Sequence, residues 1–256
     1  MHADEMNKDN ATEILVVDKL VKRYYTAPPT DADGTVDRKE ERPSLANRED
    51  EHDDNQLQPA EVGFNAVKGT SFGVKRGEVF SLLGVNGAGK SSTFNCLVGA
   101  QRVSGGTVLI DGQNVDDFIG QPEKLHGLIG YCPQVNYFDK VLTVKQSITW
   151  IARVVGIPDA SLQAYVESSI ARFGLSRFVD TQADNLSGGN KRKLCLCLAM
   201  IGRPKIVYVD EASTGVDPHS RRTLWKAIYD EGRESAVVMT THAMEEAEAI
   251  STKLAI

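Results

Sequence analysis

The sequence has no hydrophobic run long enough to cross a bilayer, because its longest one, from Leu194 to Gly202, ends at Arg203. Only four cysteines are present, without a CxxC pair or a metal-binding spacing, so we expect free thiols in a reducing compartment. Basic residues are not in excess, since 29 Lys and Arg stand against 35 Asp and Glu. This balance disfavours nucleic acid as a partner, and the acidic, polar first residues predict no secretory signal peptide.

The acidic residues are concentrated in one segment. Residues 31–54 contain ten acids and four bases, a balance of −6 that equals the net charge of the whole chain. Residues 27–60 have no apolar periodicity, and they include Pro28, Pro29, Pro43 and Pro59. Such a composition cannot bury enough surface to offset the entropy of ordering, so we predict a disordered acidic insertion over residues 27–60. A regulatory segment is the alternative.

Strands and helices alternate along the rest of the 256 residues, which are 41% hydrophobic. Continuous apolar runs of the kind buried on both faces of a sheet occur at 79–83, 206–209 and 236–239. Apolar residues at helical spacing predict helices over 143–155, 161–173, 187–203, 220–229 and 244–250. Thr143 and Gln146 have the spacing of a capping box. This alternation predicts an α/β fold with a mainly parallel core sheet.

A phosphate-binding loop is predicted between the first apolar run and the helix after it. Residues 84–91 read GVNGAGKS and match the pattern GxxxxGK[ST] in its required strand-to-helix context. Glycines allow a tight turn in which successive N–H groups converge on one anion. Lys90 adds a charge for the β- and γ-phosphates, and the Ser91 hydroxyl is suited to Mg²⁺. A glycine-rich turn that binds no nucleotide is the alternative interpretation.

Two adjacent acids end the second apolar run, which reads IVYVDE at 206–211. Ligands of parallel sheets collect at the carboxyl ends of the strands, so Asp210 and Glu211 are expected near the phosphate loop. Asp210 is suited to Mg²⁺, and Glu211 to deprotonation of an attacking water. Alone, these acids would equally fit a helix cap.

A second anion site is predicted at the segment LSGGNKRKL, residues 186–194. Ser187 is a favourable N-cap, and the two glycines leave N–H groups uncovered at the start of a helix. Lys191, Arg192 and Lys193 follow in the first turns, where cations oppose the helix dipole. We therefore expect an anion or acidic partner close to these three bases. A solvated basic face is the alternative.

These segments together resemble the nucleotide-binding domain of an ATP-binding-cassette (ABC) transporter, over about 14–25 and 64–256. GVNGAGKSS resembles the Walker A motif, LSGGN the family signature and IVYVDE the Walker B motif. Gln134 in GYCPQ resembles the Q-loop, Asp217 in TGVDP the D-loop, and His242 the switch histidine. SGGNKRKL, GYCPQ and THAMEEAEA are most similar to the A subfamily, whose members largely move lipids and sterols.

The resemblance implies a role for each matching residue. Glu211 would be the general base, His242 would contact the γ-phosphate, and Tyr24, or equally Tyr25, would stack on adenine. ATP phosphates would be held by Gly84, Val85, Asn86, Gly87, Ala88, Gly89, Lys90, Ser91 and Ser92. Mg²⁺ and its water would be ordered by Ser91, Gln134 and Asp210. Ser187, Gly188 and Gly189 would reach ATP held by a second domain in a head-to-tail dimer, with Asp217 across that interface.

The resemblance also implies an architecture and a setting. It implies a P-loop NTPase over residues 1–256, with an N-terminal antiparallel β subdomain and a helical subdomain at 135–190 carrying the signature. The family continues with further strands, so we expect the sequence to be a fragment. The partners would be transmembrane domains of the same full-length chain, and the domain would sit on the cytoplasmic side of a membrane.

Departures from the family pattern leave the charged and phosphate-contacting residues intact. Ala212 replaces a proline, Ser92 a threonine and Asn190 a glutamine. We therefore expect ATP hydrolysis coupled to transport, with lipid as the substrate class. The alternatives are a soluble cassette ATPase such as a translation factor, a drug-exporter subunit, and a non-hydrolytic nucleotide sensor. A DNA-repair cassette would need a long coiled coil between Gly89 and Ser187, which the sequence lacks.

Overall fold

The computed structural model describes residues 13–25, 63–125 and 127–255. The predicted acidic insertion at 27–60 lies outside the described residues. The strands are β1 (Glu13–Tyr25), β2 (Gly63–Lys75), β3 (Val79–Leu83), β4 (Gly105–Ile110), β5 (Gln113–Asn114), β6 (Ile129–Cys132), β7 (Ile206–Asp210), β8 (Ala236–Thr241) and β9 (Lys253–Ala255). The helices are α1 (Lys90–Leu97), α2 (Val144–Val154), α3 (Asp159–Arg172), α4 (Gly188–Ala199), α5 (Pro218–Glu231) and α6 (Met244–Ile250). Short 3-10 turns lie at Val115–Phe118, Pro122–Leu125, Ser176–Phe178 and Ala183–Asn185.

An antiparallel sheet with the order β2-β1-β4-β5 forms the N-terminal layer, as the family resemblance implied. Its central strand alternates in burial, so that Leu15 and Val17 point inward. These side chains pack in one core with Phe94 of α1 and Tyr208 of β7. The antiparallel sheet is thereby fixed on one face of the second sheet.

The second sheet is parallel throughout, in the order β6-β7-β8-β3-β9, which confirms the predicted α/β class. Its interior strand β7 is buried on both faces. Ile206 and Tyr208 belong to the core beneath the antiparallel sheet, whereas Val207 and Val209 belong to the core beneath the helices. Since all these strands run in one direction, the segments after β3, β6, β7 and β8 emerge at a common edge.

A helical region follows β6 and is built by α2, α3 and the start of α4. The predicted capping box of α2 is present, because the Thr143 hydroxyl accepts a bond from the Gln146 amide and the Gln146 side chain accepts one from the Thr143 amide. Phe138 packs against the core of this region, while Tyr137 is 86% exposed. The boundaries at 135 and 190 remain a prediction.

Helix α4 is shorter than predicted, because it ends at Ala199 rather than near Arg203. Gly202 and Arg203 both have positive φ values, of 83° and 54°, and a right-handed helix cannot continue through them. The turn leads through Pro204 into β7, which joins the parallel sheet. Apolar residues continue beyond Ala199, so the hydrophobic periodicity alone could not locate the end of α4.

Helix α4 lies unusually close to β6 at Gly130. A Cβ added at this residue would lie 2.0 Å from the Ala199 carbonyl oxygen and 3.0 Å from Pro204 Cγ. The same contact brings Cys132 and Cys195 together, with 3.7 Å between their sulfur atoms. All four cysteines are buried free thiols, as predicted, and burial raises the pKa of Cys197 to about 12. None of the helices in the described ranges has the length and apolar character needed to span a bilayer.

Candidate active site

The common edge of the parallel sheet forms a cleft of about 910 Å³. The loop after β3, the segment after β6 and the acid that follows β7 all line it, together with part of β2. Its lining includes Phe64, Ala66, Asn86, Gly87, Ala88, Gly89, Lys90, Ser91, Ser92, Gln134 and Glu211. The topology therefore brings the predicted phosphate loop and the predicted general base into one cavity.

The loop from Gly84 to Gly89 has a backbone that requires glycine. Gly87 and Gly89 have φ values of 86° and 91°, and a Cβ at Gly89 would lie 2.3 Å from the Ala66 carbonyl oxygen. Helix α1 begins directly after Gly89 without a side-chain cap. Its first N–H groups are thus left for a ligand, which is the arrangement that suits a phosphate.

Lys90 folds back over this loop. Its Nζ atom donates hydrogen bonds to the carbonyl oxygens of Gly84, at 2.7 Å, and Val85, at 3.1 Å. The ammonium group therefore lies over the start of the loop whose later residues, from Asn86 to Gly89, line the cleft. A positive charge above converging N–H groups matches the charge and shape of a polyphosphate.

The acid pair is held by the neighbouring strand β8. The Thr240 hydroxyl donates to the Asp210 carboxylate, and the Glu211 amide donates to the Thr240 carbonyl oxygen at 3.2 Å. Glu211 has a φ of 45°, a left-handed conformation that is rare for a residue with a side chain. This strained backbone turns the Glu211 side chain out of the strand alternation and into the cleft.

The Glu211 carboxylate is the meeting point of the predicted catalytic residues. Its Oε2 atom accepts a hydrogen bond from Gln134 Nε2 at 3.0 Å and one from the Thr214 hydroxyl at 3.3 Å. His242 Nδ1 lies 3.8 Å from the same oxygen. Three segments that are far apart in sequence thus converge on one carboxylate at the strand ends.

Tyr24, the residue predicted to stack on adenine, lies beside Phe64 of the neighbouring strand β2. The Tyr24 ring is half-buried and stacks on Phe64, with 5.6 Å between ring centroids. The Tyr24 hydroxyl donates to Gln101 at 2.8 Å and lies 3.3 Å from the Ser92 hydroxyl. Phe64, not Tyr24, lines the cleft, and Tyr25 is exposed. The position of Phe64 follows from the antiparallel register of β1 and β2, which pairs it with Tyr24. The sequence alone does not reveal this register.

The predicted second anion site lies outside this cleft. Ser187 caps α4, since its hydroxyl accepts a hydrogen bond from the Asn190 amide at 3.4 Å. Ser187 and Gly188 are exposed, and a Cβ at Gly188 would meet no atom within 4 Å. A Cβ at Gly189 would lie 2.9 Å from Asp217, which itself caps α5. Bonds from the Ser220 backbone and side chain lower the pKa of the Asp217 carboxyl.

The expectation of an anion beside all three bases of the signature is wrong for Arg192. Its side chain is only 3% exposed, and its guanidinium donates to backbone carbonyls rather than to an acid. Lys193 is buried as well, and loss of solvent lowers its pKa. Of the three bases, Lys191 is the one that forms an ion pair in the part of the chain that the structure describes, with its Nζ 3.4 Å from Asp184. A basic triplet looks the same in sequence whether it is exposed or buried.

The predicted metal ligands Ser91, Gln134 and Asp210 come from three elements at the same edge. Within the residues that the structure describes, no cluster of three or more His, Cys, Asp or Glu side chains is placed to hold a metal ion. A site with a single carboxylate suits Mg²⁺, which commonly takes its remaining ligands from water and from substrate phosphates. The donor set thus fits Mg²⁺ bound together with a nucleotide.

A family model described as ABC transporter matches residues 67–214, more than half of the sequence. The chain belongs to the ABC transporter family. Its cassette is 43% identical over 194 residues to the human phospholipid-transporting ATPase ABCA7, covering 75% of this chain and 9% of that protein. It is also 43% identical, over 192 residues, to the human glucosylceramide transporter ABCA12, covering 75% of this chain and 7% of that protein. These relatives confirm the resemblance to the A subfamily, although the chain spans less than a tenth of their length.

Solved structures of ABC proteins have the same fold. Part of a transporter complex from Clostridium perfringens, cbiO1, superposes with a TM-score of 0.71 at 23% identity, over 95% of this chain and 84% of that one. A dimeric ATP-binding cassette in a post-hydrolysis state, bound to ADP and Pi, superposes with a TM-score of 0.69 at 17% identity, over 92% and 90%. The predicted P-loop NTPase fold is therefore confirmed for this ABC cassette.

Proposed function

We propose that this cassette binds and hydrolyses ATP and thereby powers transport of a lipid across a membrane. The observation that carries the proposal is the convergence of the loop at 84–91, Gln134 and Glu211 in one cleft. A strained glutamate beside an anion-binding loop is the arrangement expected for attack of water on a phosphate. The phospholipid and glucosylceramide transporters among its relatives support lipid over the drug-exporter and translation-factor alternatives.

The triphosphate would lie along the loop before α1. The N–H groups at 84–89 and at the start of the helix would donate to phosphate oxygens, and Lys90 would exchange its two carbonyl partners for the β- and γ-phosphates. The ring pair Tyr24 and Phe64 stands at the mouth of the cleft and would stack against the base. Because Phe64 covers Tyr24, we place Phe64 in contact with adenine and Tyr24 behind it.

Glu211 would take the proton of the attacking water. Gln134 and His242 approach the same carboxylate oxygen, so they would orient the water and the γ-phosphate around it. Ser91, Gln134 and Asp210 would hold a magnesium ion, whose chemistry is to neutralise charge on the phosphates. The Thr240 hydroxyl, bonded to Asp210, would keep that carboxylate turned toward the cleft.

A second copy of such a cassette would complete the site. Ser187 and Gly188 are exposed and are not among the residues that line the cleft of their own chain, so we expect their amides to meet a phosphate held by another domain. Two cassettes arranged head to tail would place each signature helix over the partner's ATP. The exposed Asp217 beside Gly189 would then face the same interface.

A transmembrane partner would dock beside the Gln134 segment, with the cassette on the cytoplasmic side of the membrane. Large apolar side chains are exposed there, including Val135, Tyr137, Trp150 and Val154. Tyr137 also lines a second, mainly apolar groove of about 560 Å³ between β6, α2 and α4. An apolar groove next to a catalytic segment offers a route by which hydrolysis could move the partner.

Glu211→Gln tests the proposed reaction. The substitution keeps the size of the side chain but removes its basicity, so ATP affinity should stay within about twofold while phosphate release falls roughly a hundredfold or more. Titration with ATP and a phosphate-release assay at saturating ATP measure the two quantities. Wild-type turnover in the variant would exclude Glu211 as the base, and a wild-type chain that binds no ATP would overturn the proposal itself.

A further inference from the structure

Arg192 is a buried charge in the second turn of the signature helix. Its side chain is 3% exposed, although arginine is rarely buried without a partner. Within the part of the chain that the structure describes, no carboxylate forms an ion pair with it. Its charge must therefore be balanced by other groups, and the groups around it are main-chain carbonyls.

The guanidinium of Arg192 donates hydrogen bonds to four carbonyl oxygens from two segments. Nε bonds Ala212 at 3.0 Å, and Nη2 bonds Asp210 at 2.6 Å. Nη1 bonds Pro133 and also reaches Gln134 at 3.4 Å. Only a planar fork with several fixed N–H groups can span four acceptors in this way, and the point charge of lysine cannot.

These four carbonyls surround the two residues proposed to handle water. Asp210 and Ala212 flank Glu211 on either side, so Arg192 holds the main chain on both sides of the strained φ of 45°. Pro133 and Gln134 form the other segment, whose side-chain amide bonds Glu211. One guanidinium therefore fixes the spacing of both partners of the Gln134–Glu211 hydrogen bond.

We propose that Arg192 is a positioning residue for ATP hydrolysis, which sets the geometry between Gln134 and Glu211. Because it belongs to the helix that begins at Ser187, it also joins the surface offered to a second cassette with the catalytic carboxylate of its own chain. A shift of α4 on contact with a partner would move these carbonyls directly. The inference rests on the proposed ATPase function, and the experiments below distinguish a failure of that function from a failure of the role of Arg192.

Arg192→Lys is the variant that tests the role. It retains the charge but loses the fork, so the KM for ATP should stay within about twofold while kcat falls roughly a hundredfold, the effect of a misplaced base. Arg76→Lys is the matched control, because Arg76 also donates to a backbone carbonyl, that of Glu234 at 2.7 Å, but is exposed and remote from the cleft. It should retain wild-type kcat.

Chemical rescue separates positioning from a general loss of structure. Millimolar guanidinium should restore part of the kcat of Arg192→Ala, since the free ion can occupy the same four acceptors, whereas ammonium should not. Circular dichroism at the assay temperature verifies that each variant is folded, and Arg192→Gln replaces any variant that is not. Wild-type kcat in the folded lysine or glutamine variant, or equal rescue by both ions, would overturn the role.

Hydrogen exchange keeps the inference testable without turnover. Peptides covering 130–135 and 206–214 should exchange about tenfold faster in Arg192→Lys than in wild type, because charge-assisted bonds at both segments are lost. Peptides of α5 serve as the internal control. If the wild-type chain hydrolyses no ATP, the proposed function fails, and unchanged exchange at these two segments would independently overturn the inference about Arg192.

Discussion

Two helices of this cassette begin at glycine-rich segments, and they are built for ligands in different places. Helix α1 has no side-chain cap, and Lys90 folds over the loop in front of it, inside the cleft. Helix α4 is capped by Ser187 and begins at an exposed surface. Under the proposed function, the first helix start would bind the phosphates of ATP held by its own chain, and the second would contact ATP held by a partner cassette. The surroundings of a helix start, more than its glycines, therefore determine whether it is placed for a ligand in its own chain or for a ligand held by a partner.

Substitution of Gly89 should give the largest effect and abolish the first of these sites. In Gly89→Val, the new Cβ would approach the Ala66 carbonyl oxygen to 2.3 Å at a φ of 91°, which a β-branched residue cannot adopt without strain. We expect loss of detectable ATP binding and a fall in unfolding free energy of about 2 kcal/mol or more. Calorimetric titration and urea denaturation measure these effects.

Gly87→Ala is the control for this prediction, because Gly87 has a similar φ of 86° but no atom within 4 Å of an added Cβ. It should retain measurable binding. Equal losses in the two variants would show that backbone strain, and not the contact with Ala66, makes Gly89 necessary.

Lys90→Ala should have the second largest effect, confined to ligand binding. Removing the ammonium group takes away charge-assisted bonds to phosphate, so the dissociation constant for ATP should rise about ten- to a hundredfold. Stability should change little, since within the described residues the group is bonded to carbonyls of its own loop alone. Wild-type affinity in a fluorescence titration would contradict the role of Lys90.

The smallest effects should come from the second helix start and should have opposite signs. Ser187→Ala removes the cap of α4 and should cost about 1 kcal/mol of stability. Gly188→Ala adds a methyl group in open space and a better helix former, so stability should rise by about 0.5 kcal/mol. Urea denaturation measures both.

Neither variant should alter the affinity of a single cassette for ATP. Gly188→Ala should nevertheless weaken ATP-dependent pairing of Glu211→Gln cassettes, measured by sedimentation. Unimpaired pairing would argue against contact of Gly188 with a partner's phosphate.

The sequence was sufficient to predict the parallel sheet, the capping box of α2 and the position of the phosphate loop. These depend on local patterns: apolar runs, cap residues and glycine spacing. It could not distinguish Arg192 from Lys191, because burial of a base depends on how α4 packs on β6 and β7. It also missed Phe64 and Thr240, whose positions follow from strand register. Long-range pairing, which leaves no local signal, accounts for most of what was missed.

The close approach of α4 to β6 at Gly130 has a consequence for inherited variation. Gly130 is not among the residues that line the cleft, yet an alanine there would meet the Ala199 carbonyl oxygen at 2.0 Å and push the helix outward. That helix carries Arg192, so a single added methyl group should displace Arg192 and thereby lower the rate of ATP hydrolysis from a distance. A genetic variant at this position should therefore impair the cassette in the same way as a variant in the cleft, although residue 130 would contact neither the nucleotide nor the transported molecule.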